Sequence, residues 1–131
     1  MTATPPEPAE ALARKFRKEL SAGTVALVLL ALLDQATEDL YGYQIAKRLA
    51  ERSEAPLATK QGVLYPVLRT LSAHGLLASR VVPSYAGPPR RYYRITPLGR
   101  RVLAEWTAIW RDTRDFVDEL LGPARTTEKS P

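Results

Sequence analysis

Apolar positions along residues 97–121 fall at Val102, Trp106, Ile109, Thr113, Phe116 and Leu120, spaced 4, 3, 4, 3, 4. Leu103, Trp110 and Val117 form a second stripe beside the first. This spacing predicts a helix that packs lengthwise along another helix. Thr96-Pro97 supplies its start, a hydroxyl cap followed by proline at the first helical position, and Gly122-Pro123 its stop. One small domain offers too little surface to cover both stripes, so the pattern predicts a two-fold dimer. Its interface would hold Val102, Trp106, Ile109, Trp110, Phe116, Val117 and Leu120.

Upstream, residues 59–74 carry Leu64, Leu68 and Leu71 at helical spacing, with Thr59 as cap and Gly75 as stop. Lys60, Gln61, Tyr65 and Arg69 lie mostly on the opposite, polar side. Pro66 deprives this helix of one backbone bond and predicts a bend or a start near Gly62. Residues 76–82 (LLASRVV) alternate as a strand, SYAGPP is turn composition, and RRYYRIT is a second strand. Within that strand one of Tyr92 and Tyr93 is expected on the core and the other outside. An earlier helix opens at Tyr41-Gly42-Tyr43, turns Ile45 and Leu49 inward, and follows a polar connector over 34–39. Residues 21–33 are apolar on nearly every face, with Ser21 as their cap, which predicts burial on more than one side. Three helices followed by a hairpin describe a winged helix-turn-helix. The fold class is therefore mainly α with a small β hairpin, extended by the long C-terminal dimerisation helix.

The predicted organisation is a disordered tail over 1–9, an extra helix over 10–20, a winged-helix domain over 21–96, the dimerisation helix over 97–121, and a flexible tail over 122–131. The 10–20 helix sets Leu12, Phe16 and Leu20 against Arg14, Lys15, Arg17 and Lys18. It is either an element packing on a partner, which its stripe favours, or a basic arm touching phosphates.

Charge sharpens this picture. Residues 55–104 contain no Asp or Glu but eight cations, Lys60, Arg69, Arg80, Arg90, Arg91, Arg94, Arg100 and Arg101, so this stretch alone carries +8 against +5 for the whole chain. A solvated face normally mixes signs, so the segregation points to a polyanion, double-stranded DNA. The helix at 60–74 would enter the major groove and the wing at 77–96 its flank, with Lys60, Gln61, Tyr65, Arg69, Arg90 and Arg91 in contact. Arg94 is left out of this set, on the expectation that strand alternation turns it away from Arg90. The absence of cysteine and the single histidine, His74, leave no metal set, no cofactor and no nucleophile–base pair, so an enzyme is not expected. The most apolar run, residues 22–33, is shorter than the roughly 20 residues a membrane span needs. A cytoplasmic location without membrane association is expected.

The motifs YGYQIAKRL, GVLYPVLRTLSAHGLL and GPPRRYYRITPLGRR, in this order, closely resemble the PadR-type bacterial transcriptional regulators. The resemblance covers residues 20–121 and implies a winged-helix repressor acting as a homodimer on a palindromic operator. It also implies a small hydrophobic or aromatic effector. In drug-sensing members an aromatic on the C-terminal helix lines a pore at the dimer interface, and Trp110 falls at that position, with Trp106 beside it. One departure bears on specificity: the family often has a small hydroxyl residue before the glycine of G-x-L-Y, where this chain has Lys60-Gln61. The operator sequence therefore does not carry over. An alternative of another class is a small-molecule- or protein-binding dimer without specific DNA recognition.

Overall fold

The computed structural model describes residues 7–52 and 61–123. Seven elements follow in order: α1 (Glu7–Gln35), β1 (Leu40–Tyr41), α2 (Gly42–Arg52), α3 (Gln61–Ala73), β2 (Leu77–Val82), β3 (Arg90–Ile95) and α4 (Pro97–Leu121). The strands form one antiparallel sheet in the order β1-β3-β2. This is a winged helix with a long C-terminal helix.

Leu64, Leu68 and Leu71 on α3 meet Ile45 and Leu49 on α2, and all five are buried. Beneath them run Val25, Leu29, Leu30 and Leu33 of α1, so the apolar helix is the central beam of the core. Each such leucine contributes about 1.5–3 kcal/mol by leaving water. Tyr93 and Ile95 close the core from the sheet, and Tyr92 lies on the outer face, as strand alternation requires.

Two differences from the sequence reading have local causes. The predicted break at Ser21 is absent, and α1 is one helix of 29 residues beginning at Glu7 rather than at residue 10. Nothing near Ser21 breaks a helix, and the Thr24 hydroxyl donates back to the Leu20 carbonyl at 3.0 Å, a bond that keeps the side chain within the helical turn. Residues 1–6 of the expected tail, Thr59 and Lys60, and residues 124–131 lie outside the described residues. Second, the 34–39 connector ends in a short strand: Leu40 pairs with Tyr93 and Tyr41 with Tyr92. Two residues are too few for alternation to register in a sequence. The start expected near Gly62 holds to within one residue, since α3 begins at Gln61 with Pro66 in its second turn. Its ring removes the bond that would have run to Gly62.

The joint between α3 and α4 is tightly specified. Gly75 has φ of 79°, a left-handed conformation that glycine adopts without a Cβ penalty. The Gly75 amide donates to Ser72 at 3.0 Å and the Leu76 amide to Leu71 at 2.9 Å, which completes a Schellman stop. Thr96 then caps α4, accepting from the Gly99 amide at 2.9 Å, while its hydroxyl donates to the Gly75 carbonyl at 2.7 Å. One hydroxyl thus joins the end of α3 to the start of α4. Gly99 sits so close to the Leu76 carbonyl that a Cβ would collide with that backbone.

Candidate nucleic-acid interface

The outer side of α3 and the wing enclose a groove of about 330 Å³. Tyr65 and Arg69 line it from α3, Tyr41 from β1, Gly42 and Tyr43 from the start of α2, and Arg90, Arg91 and Tyr93 from β3. Among the described residues, none of its lining side chains is acidic. The structure therefore brings together four of the six predicted contact residues. Lys60 lies outside the described residues, and Gln61 opens α3 without a described side chain.

The sequence explains how the four converge. Tyr65 and Arg69 are one helical turn apart on a single face. The Tyr65 ring lies across Gly42, which has no Cβ to hold it off. Arg90 and Arg91 are neighbours in a strand and so leave the sheet on opposite faces. The Arg90 guanidinium sits 4.5 Å from the centre of the Tyr41 ring, whereas Arg91 donates to the Ser79 hydroxyl at 3.1 Å on the core side. Burial pushes the pKa of Tyr93 above its ordinary 10.0, against the opposing pull of Arg91 and then Arg69. The Tyr93 hydroxyl thus stays protonated near neutral pH, beside two guanidinium groups. The floor of the groove presents hydrogen-bond donors and no fixed negative charge, which suits a phosphate.

The tertiary structure redraws the charge pattern. Asp39 accepts from Arg80 at 3.0 Å and lies 3.7 Å from Arg94, and Asp34 accepts from Arg100 at 3.1 Å. Three of the eight cations are thus compensated by carboxylates from a segment 41 to 66 residues upstream. Arg69, Arg90 and Arg91 make no ion pair among the described residues. Arg94 does not turn away from Arg90. Positions four apart in a strand share a face, and Asp39 is what occupies Arg94. The outer face is stiffened by an edge-on Tyr41–Tyr92 contact at 5.3 Å and by Arg80 over Tyr92 at 5.0 Å. Tyr41, Tyr43, Tyr93, Asp34 and Asp39 escaped the sequence reading as parts of this site. Only the YGY triplet hinted at the first two.

A second groove, about 440 Å³, runs between α1 and α4. Leu20, Gly23, Leu27, Trp106, Ile109 and Trp110 are among its walls, so both tryptophans predicted to meet a ligand share one apolar surface. The predicted dimer residues divide into two groups. Val102 and Trp106 pack on the core of their own chain, because the Gly99 and Thr96 contacts hold the first turns of α4 down. Ile109, Phe116 and Leu120 are 62%, 62% and 72% exposed, and Trp110 and Val117 are partly exposed beside them. Among the described residues, no helix is long and apolar enough to cross a membrane.

Comparison with known proteins agrees with this geometry. Residues 29–105 match the transcriptional regulator PadR-like family. A PadR family transcriptional regulator from Eggerthella lenta superposes with a TM-score of 0.76 at 34% identity, covering 90% of this chain and 99% of its own. A PadR-like transcription factor from Bacteroides fragilis gives a TM-score of 0.63 at 31% identity, over 81% and 98% of the two chains. A transcriptional regulator of Mycobacterium tuberculosis is 39% identical over 83 residues, 61% of this chain and 72% of that protein. These relatives are regulators, not enzymes.

Proposed function

We propose, from the premise that this chain belongs to the PadR-like family of DNA-binding transcriptional regulators, that it is a ligand-responsive repressor. It acts as a cytoplasmic homodimer on a palindromic operator. The carrying observation is the acid-free groove in which Arg69, Arg90 and Arg91 flank the outer side of α3. In this reading α3 enters the major groove with Gln61 and Tyr65 toward base edges, and Lys60 just before it. Arg69, Arg90 and Arg91 take backbone phosphates, which fix register without reading sequence. Exposed apolar residues on the far half of α4 support dimerisation, since monomers rarely leave such stripes in water. A dimer would present two α3 helices to half-sites about 10 bp apart or a multiple of that. The groove at Trp106 and Trp110 supports an apolar or aromatic effector.

The test is fluorescence anisotropy of a labelled duplex taken from upstream of this protein's own gene, against a scrambled duplex, at two salt concentrations. Tight, selective and salt-sensitive binding is the expected result. Equal weak binding to both duplexes, with a saturable tryptophan response to planar aromatic compounds, would replace this reading with that of a ligand-binding dimer lacking DNA specificity.

A further inference from the structure

The outward face of α3 is made of residues that neither the helix nor the core requires. At 3.6 residues per turn Gly62, Pro66 and Arg69 fall opposite Leu64, Leu68 and Leu71, and all three are exposed where the leucines are buried. Val63 stands beside Pro66 on the helix surface, three residues before it and 38% exposed. Glycine and proline are the two weakest helix formers, yet α3 carries both on this one face. Backbone geometry does not call for the glycine, because Gly75 and Gly122 are the glycines with positive φ. Packing does not call for it either, since a Cβ on Gly62 would meet no atom within 4 Å. Gly42 and Gly99 differ in this respect, for there a Cβ would strike the Tyr65 ring and the Leu76 carbonyl. What remains for a glycine on a helix surface is the close approach of a ligand to the backbone.

The chemistry of this surface narrows the ligand. From Gly62 to Leu68 the chain holds one polar side chain, Tyr65, whose ring lies across Gly42. Gly62, Val63 and Pro66 therefore present an apolar surface of about one turn, next to the acid-free groove lined by Tyr65 and Arg69. It continues the DNA-facing side of the molecule. In the major groove the base pairs offer hydrogen-bond donors, acceptors and one apolar substituent, the C5-methyl group of thymine. A donor or acceptor set against Val63 and Pro66 would lose water without gaining a partner. A thymine methyl group would lose none.

We propose that Val63 and Pro66 read a thymine in each half-site through its C5-methyl group. The bare backbone at Gly62 lets α3 lie deep enough in the major groove for them to reach it. A cytosine at the same position would turn its amino donor toward an apolar wall, so the contact discriminates by exclusion as well as by burial. The proposal rests on the DNA-binding reading above and adds to it a base that α3 selects.

The test begins with an operator selected from a random duplex pool by the full chain. Each thymine of its half-site is then replaced in turn by deoxyuridine, which lacks the methyl group and keeps every hydrogen-bonding atom, and binding is measured by anisotropy. At one thymine, replacement in both half-sites should weaken binding about 15-fold, the loss of about fourfold per buried methyl group taken twice. Val63→Ala should weaken binding to the thymine duplex and bring that ratio toward one. Arg91→Ala, which removes a phosphate contact, should weaken both duplexes alike and keep the ratio. Gly62→Ala should weaken DNA binding while raising the urea midpoint, because alanine is the better helix former and has room. A uracil ratio that Val63→Ala leaves intact, or Gly62→Ala protein that binds like the wild type, would overturn the proposal. A selected operator with no thymine that responds to uracil would overturn it too, while keeping the DNA-binding reading. A pool that yields no preferred sequence would overturn both.

Discussion

Charge compensation in the folded chain makes a prediction that sequence charge alone reverses. By position, Arg80 and Arg94 belong to the same basic stretch as Arg90 and Arg91. In the structure Asp39 occupies the first two, and the second two face the groove unpaired. Replacing Arg91 with Ala should remove one phosphate contact per subunit, hence two per dimer. The log–log salt slope should then become shallower by about 1.8, at about 0.9 per phosphate. Over a fourfold rise in salt the variant should lose about 12-fold less affinity than the wild type loses. Arg90→Ala should behave alike, whereas Arg80→Ala and Arg94→Ala should leave the slope unchanged. Anisotropy titrations at four or five salt concentrations measure all four slopes. Equal slope changes for the Arg80 and Arg91 variants would refute the claim that Asp39 removes arginines from the DNA-facing set.

The remaining predictions follow from single contacts. Gln61→Ala should alter preference among operator variants more than overall affinity, as competition with base-substituted duplexes would show. Gly99→Ala should destabilise the fold by about 1–3 kcal/mol, because its methyl group meets the Leu76 backbone and Ile95 rather than a flexible side-chain end. Urea denaturation reads this as a lower midpoint at constant slope. Thr96→Ala loses the α4 cap and the bond to Gly75, and should cost about 1–2 kcal/mol in the same assay. Tyr93 holds its proton more tightly folded than unfolded, so its contribution to stability is complete below pH 10.0 and is lost as pH rises toward its raised folded value. Tyr93→Phe should therefore flatten the alkaline decline in stability, measured by denaturation at a series of pH values.

Much of the winged helix was legible because its determinants are local. The leucine spacing of α3, the glycine stop at Gly75 and the Thr96-Pro97 start each act within a turn or two of chain. Alternation alone required one of Tyr92 and Tyr93 inside and the other outside, and the folded sheet decides that Tyr93 is the inner one. The break predicted at Ser21 failed because a capping residue is also tolerated within a helix, and only the continuing packing of Val25 and Leu29 decides which role it takes. The compensation of Arg80, Arg94 and Arg100 could not be read, since ion pairs between residues 41 to 66 positions apart depend on how the chain returns upon itself. The same holds for Val102 and Trp106. Their stripe spacing is shared by a core contact and an interface contact, and the clamp at Gly99 and Thr96 turns them to the core. The sequence by itself determined which residues form each element and which face of it is apolar, because those are properties of consecutive residues. Only the tertiary structure decided which apolar faces stay bare and which arginines stay unpaired, because both depend on what distant segments place opposite them.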